Sequence, residues 1–79
     1  MKQVIVYTKN NCPECDKMKE NLWRLPVPIE VDFRNIQEDS KYFDELTELG
    51  YQSVPITIVE GHKPIVGFEL GELQNAFGL

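Results

Sequence analysis

Two thiols stand two residues apart in Cys12-Pro13-Glu14-Cys15, and the chain has no other cysteine. Cysteines at this spacing can cycle between dithiol and disulfide, or can supply two ligands to a soft metal. Their context favours redox work. The pair follows an apolar run, Val4-Ile5-Val6-Tyr7, and a short polar loop from Thr8 to Asn11, and it opens a segment with helical periodicity. A cysteine just ahead of a helix meets unpaired N–H groups and the positive end of the helix dipole. Both favour the thiolate, the nucleophile of thiol–disulfide exchange.

The elements that must hold this pair follow from the pattern of apolar residues. Gln3 to Thr8 is a nearly continuous apolar run, expected to be a strand buried on both faces in the middle of a sheet. Cys15, Met18, Leu22 and Leu25 then recur at three- and four-residue intervals, one stripe of an amphipathic helix, with Pro13 in its first turn and Leu25-Pro26-Val27-Pro28 as its stop. Ile29, Val31 and Phe33 alternate with Glu30, Asp32 and Arg34, as in an edge strand with one wet face. Because the segment between these strands is long enough for a crossover helix, the unit is expected to be a parallel, right-handed βαβ.

Ser40 is the expected N-cap of a second helix, with Phe43, Leu46 and Leu49 facing inward and Gly50 ending it. Ile56 to Val59 and Pro64 to Val66, joined by Glu60-Gly61-His62-Lys63, form a hairpin signal. Leu70, Leu73 and Phe77 mark a short closing helix. The expected fold is α/β, ordered β-α-β-α-β-β-α. Its four-stranded mixed sheet is flanked by three helices, and the cysteines lie at the carboxyl end of the first strand.

Seventy-nine residues suit one small domain, 1–79, with room for one site. No stretch approaches the roughly 20 apolar residues of a membrane span, and the few apolar residues between Gln3 and Lys9 do not make a signal peptide. A cytoplasmic location is therefore expected, where cysteine pairs are more often catalytic or metal-binding than structural. A net charge of −5 argues against nucleic acid, whose binding depends on a lysine and arginine surplus.

The order of elements and three motifs resemble the thioredoxin superfamily, and within it the glutaredoxin-like branch. Tyr7-Thr8-Lys9 precedes Cys12-Pro13-Glu14-Cys15; Ser53-Val54-Pro55 precedes the third strand; Gly67-Phe68 precedes the last helix. The resemblance implies a cis peptide bond before Pro55 that faces the cysteines and frees the backbone of Val54 to pair with an extended target segment. It further implies a thioredoxin fold and disulfide reduction through Cys12 and Cys15, with Lys9, Pro13, Glu14, Val54, Pro55, Gly67 and Phe68 bordering the bound target.

Within the branch, the chain is most similar to the NrdH-redoxins, which feed electrons to class Ib ribonucleotide reductase and are recharged by thioredoxin reductase. Glutathione-using glutaredoxins usually carry Gly-Gly and then an acidic pair where this chain has Gly67-Phe68-Glu69-Leu70, and many have tyrosine at the position of Glu14. Glutathione is thus the less expected reductant. Typical NrdH-redoxins have Trp-Ser where this chain has Ile65-Val66, and Arg-Pro where it has Glu69-Leu70. The implied partners are a protein disulfide, ribonucleotide reductase foremost, and thioredoxin reductase. A monomer is expected, as is the absence of any metal or cofactor beyond the redox-active disulfide.

Residue by residue, Cys12 is the expected exposed nucleophile, and Cys15, a turn further in, resolves the mixed disulfide. Lys9 is the candidate cation that favours the thiolate, while the carboxylate of Glu14 opposes it. His62 is expected in a solvent-exposed turn with no part in the chemistry, Trp23 as a packing or surface residue, and Tyr7 in the core. Two readings compete with disulfide reduction. Zinc would need more than two cysteines and one distant histidine, although some glutaredoxins bridge an iron–sulfur cluster between two subunits. A purely structural disulfide would close so short a loop that little entropy is gained.

Overall fold

Alternation along the first strand decides how the molecule is layered. In the computed structural model, which describes residues 1–79, β1 (Lys2–Thr8) turns Val4 and Val6 to one face of the sheet and Ile5 and Tyr7 to the other. Both faces must then be covered. Helix α1 (Pro13–Trp23) and helix α3 (Leu70–Ala76) cover the first, where Met18, Leu22, Leu73 and Ala76 pack on Val4, Val6, Val59 and Ile65. Helix α2 (Ser40–Glu48) covers the second alone, with Leu46 against Tyr7 and Ile56.

Strand β2 (Ile29–Asn35) runs parallel to β1 along its whole length, and β3 (Ile56–Val59) runs antiparallel to β1 on the other side. Two residues of β4 (Ile65–Val66) complete the sheet in the order β2-β1-β3-β4. The expected β-α-β-α-β-β-α order and mixed four-stranded sheet are both present, with β1 central and β2 at an edge.

Three expectations about helices are corrected. Asp39, rather than Ser40, caps α2, its side chain accepting the Lys41 N–H at 3.0 Å. Phe43 and Leu49 are 52% and 46% exposed, while Leu46 is 1% exposed. At about 100° per residue, each lies about 60° from Leu46, on opposite sides, and a lone helix on a sheet buries only the centre of its stripe. Tyr42, about 40° from Leu46, packs there instead. Leu70 is exposed as well, and Leu73 is the residue at the centre of the α3 contact. The expected stop is present: Gly50, at φ 92°, lets Tyr51 N–H reach back to the Leu46 carbonyl at 3.2 Å.

One buried polar group has no partner. Thr57 is fully buried between Val6 and Ile65 on neighbouring strands, and its Oγ1 makes no hydrogen bond. An orphaned hydroxyl costs stability that an isosteric methyl does not. Thr57→Val is expected to stabilise the fold by about 1 kcal/mol, seen as a higher urea midpoint with unchanged slope. A lower midpoint would show that the hydroxyl has a partner after all.

Candidate active site

Sheet polarity brings three chain segments to one end of the molecule. The loop after β1 leaves the carboxyl end of the central strand. Because β3 is antiparallel to it, with Tyr7 opposite Ile56, the residues just before β3 arrive at that same end. Because β4 returns antiparallel to β3, with Ile56 opposite Val66, Gly67 and Phe68 emerge there too. Cys12 to Cys15, Val54-Pro55 and Gly67-Phe68 therefore share one rim, although they are far apart in sequence.

Cys12 is the N-cap of α1, with extended backbone at φ −122° and ψ 98°. Its Sγ accepts the Cys15 N–H at 3.2 Å, and its carbonyl accepts the Asp16 N–H at 3.0 Å. Pro13 occupies the first helical turn, where no N–H is needed. The helix thus aims a peptide donor and its dipole at the sulfur, which is the arrangement that stabilises a thiolate. Cys12 and Cys15 are joined as a disulfide, with Cα atoms 5.2 Å apart. The expected contrast in exposure is not seen in this oxidised form. Cys12 is 6% and Cys15 4% exposed.

The loop that delivers Cys12 is braced by a polar clasp that the sequence reading missed. Asn10 N–H donates to Gln37 Oε1 at 2.8 Å, Asn35 Nδ2 donates to Asn10 Oδ1 at 2.9 Å, and Gln37 N–H donates to Asn35 Oδ1 at 2.8 Å. Ile36 N–H donates to the Thr8 carbonyl at 2.9 Å. Asn11 takes a left-handed φ of 53°, a conformation asparagine tolerates better than most residues. Asn10-Asn11 in a tight loop was the available signal. Lys9 is exposed and engages no carboxylate.

On the far side of the rim the Val54–Pro55 bond is cis, as the resemblance implied. Pro55 is buried, whereas Val54 is half-buried and leaves both its N–H and its C=O without a hydrogen bond. The Pro55 carbonyl accepts the Gly67 N–H at 2.9 Å, tying the two segments together. Gly67 has φ 72°, and a side chain started there would come within 3.8 Å of Glu14 Oε1. Glu14 therefore reaches from the cysteine helix across to the Gly67 loop. Phe68 is half-buried and packs on the core beneath α1 and α3.

Directly behind the rim, Tyr7 is both a core residue and part of a charged network. Its hydroxyl donates to Glu45 Oε1 at 2.9 Å, and Arg34 Nη1 donates to that carboxylate at 2.7 Å and to the Tyr7 hydroxyl at 3.3 Å. Asp32 holds the other side of Arg34 at 2.9 Å, and the guanidinium lies over the Tyr7 and Tyr42 rings. Burial opposes the arginine charge, yet the hydrogen bonds to Asp32, Tyr7 and Glu45 outweigh it and raise its pKa. Burial, followed by the bond to Glu45, pushes the Tyr7 pKa above its ordinary value, with Arg34 acting in the opposite sense.

That shift has a consequence for stability. A tyrosine pKa raised in the folded state adds stability that is complete below the unfolded value of about 10 and is lost as pH rises through the folded value. Wild type should therefore lose more stability than Tyr7→Phe in urea melts between about pH 9.5 and pH 11. Parallel losses would show that the Tyr7 hydroxyl does not contribute.

His62 departs from the exposed turn that was expected. It is partly covered, and its Nε2 lies 3.4 Å from Glu72 Oε2, so the hairpin turn is tied to α3 instead of pointing at the cysteines. Trp23 is a surface residue, 67% exposed and 6.2 Å from the Phe33 ring. No cluster of three or more histidine, cysteine, aspartate or glutamate side chains could hold a metal ion. No helix is long and apolar enough to cross a membrane.

Known proteins share this arrangement. The glutaredoxin family model matches residues 4–63. The glutaredoxin-like protein NrdH of Lactococcus lactis subsp. lactis is 33% identical over 72 residues, which cover 91% of this chain and 96% of that protein. The gene 56 protein of Mycobacterium phage L5 is 32% identical over 73 residues, 91% of this chain and 69% of that one. Among solved structures, the crystal structure of the thioredoxin-like protein BC3987 superposes with a TM-score of 0.77 at 27% identity, covering 92% of this chain and 97% of the other. With its Cys12–Cys15 disulfide at the start of α1, the chain belongs to the glutaredoxin family within the thioredoxin superfamily and is a thiol–disulfide oxidoreductase.

Proposed function

We propose that this protein reduces protein disulfides as an electron donor of the NrdH-redoxin type, serving ribonucleotide reductase and recharged by thioredoxin reductase. In the dithiol form the Cys12 thiolate attacks one sulfur of the target disulfide. A Cys12–target bond forms, the target S–S bond breaks, and one target thiolate leaves. Cys15 then gives up its proton and attacks Cys12 Sγ, forming the Cys12–Cys15 disulfide and releasing the second target thiolate. Two electrons have moved from the dithiol to the target, and NADPH restores them through the reductase. Before attack, the Cys15 N–H and the helix dipole stabilise the Cys12 thiolate. The free N–H and C=O of Val54 offer a short strand-like pairing to the target backbone.

The observation that carries the choice of reductant is the position of Glu14. Its carboxylate stands against Gly67, in the loop where glutathione-using relatives hold the γ-glutamyl end of the tripeptide. An anionic ligand placed there meets a like charge close to the sulfur. The 33% identity to a protein named NrdH supports the same assignment.

NADPH oxidation coupled to a protein disulfide tests it, with thioredoxin reductase in one arm and glutathione plus glutathione reductase in the other. Fast turnover is expected with thioredoxin reductase and slow turnover with glutathione. Turnover with glutathione alone would replace the proposal with a glutathione-dependent glutaredoxin.

A further inference from the structure

We infer that Glu14 is a specificity residue of the docking rim, and that it selects target segments carrying lysine or arginine beside the cysteine to be reduced. The inference rests on the disulfide-reductase reading above and adds the chemistry of the partner.

Glu14 sits between the two cysteines, in the first turn of α1, and is exposed. Its carboxylate makes neither a hydrogen bond nor an ion pair, unlike those of Glu20, Asp32, Asp39, Glu45 and Glu72. Its Oε1 lies 3.8 Å from where a Gly67 Cβ would stand, and Gly67 is fixed to Pro55 by the 2.9 Å backbone bond. A segment that pairs with Val54 while its sulfur lies against Cys12 would run alongside Glu14 and this loop. The carboxylate is thus an unneutralised charge on the rim between the cysteine pair and the Gly67 loop.

Elsewhere on the rim, Glu69 caps α3 without a side-chain hydrogen bond, leaving a second free carboxylate two residues beyond Gly67. Lys9 is the opposing cation, but it forms no ion pair with Glu14 and precedes the cysteine loop, not the Gly67 side of the groove. A basic residue flanking the target cysteine would gain an ion pair on docking. An acidic one would meet repulsion at close range.

The test uses protein reduced beforehand with dithiothreitol and then freed of it. It is mixed with synthetic peptides that carry one internal disulfide and differ only in having lysine, glutamine or glutamate next to the attacked cysteine. Thiol release is followed under single-turnover conditions. The lysine peptide should react about 5- to 10-fold faster than the glutamate peptide at low ionic strength, and the ratio should shrink severalfold near 1 M salt. In Glu14→Gln the ratio should fall to within about twofold of unity, whereas in Asp16→Asn, which removes a carboxylate from the same helical turn, it should persist. Equal rates for the three peptides with wild type would overturn the inference and leave the reductase reading intact. So would a preference that survives Glu14→Gln or disappears in Asp16→Asn. Failure to reduce any peptide would overturn both.

Discussion

Serine in place of Cys12 is expected to bring disulfide turnover to background, a loss of more than about 1,000-fold, the scale on which removal of a catalytic nucleophile acts. The argument is chemical and does not depend on damage to the fold. Cys12 is the N-cap of α1, its side chain accepting the Cys15 N–H. Serine is among the preferred residues for that position and can accept the same bond. The variant should therefore melt close to the reduced wild type while losing activity, since a serine hydroxyl stays protonated where a thiol near a helix start does not. A Cys12→Ser protein that still turned over would remove Cys12 from the mechanism. Circular dichroism beside the assay should show the helix content of wild type.

Leu46→Ala carries the second large effect. Leu46 is the only fully buried side chain of α2, and with Tyr7 and Ile56 it forms the smaller of the two cores. Nothing else of comparable burial joins this helix to the sheet, since Phe43 and Leu49 are exposed. Truncating a buried leucine to alanine costs about 2–5 kcal/mol. For a domain this small that is a large share of a total of about 5–15 kcal/mol. A fall in Tm of more than about 10 °C is expected. The loss should be greater than for Phe43→Ala or Leu49→Ala, which should remain within about 1 kcal/mol. Comparable losses at all three would mean that the whole stripe is buried in solution, as its apolar spacing alone suggests.

That contrast shows where the amino-acid sequence was sufficient and where it was not. A continuous apolar run located β1, alternation located β2, a hairpin signal located β3 and β4, and three- and four-residue spacing located the helices. The cysteine pair was legible from its thiols and their spacing, and Pro55 and Gly67 from backbone conformations that few residues adopt. How deep a stripe is buried depends on how many neighbours cover it, and a single helix on a sheet face covers little. Phe43 and Leu49 are exposed for that reason.

The polar groups behind the site were hidden for a different reason. Asn10 meets Asn35 and Gln37 across more than twenty residues of chain, and Tyr7 meets Glu45 across 38. Such partners are matched by the parallel register of β1 and β2 and by the docking of α2, neither of which leaves a local signature. Alternation puts Asp32 and Arg34 on one wet face, and Asp32 is exposed there, whereas Arg34 is half-buried beside α2, where it secures the tyrosine near the end of β1.

The most direct test of the central claim, attack by Cys12 and release by Cys15, is intact-mass analysis of Cys15→Ser after reaction with a protein disulfide under non-reducing conditions. The account predicts a stable covalent adduct of one target per chain, mapped by peptide sequencing to Cys12 and dissolved by dithiothreitol. Release of fully reduced target at the wild-type rate, with no adduct at any time, would contradict it.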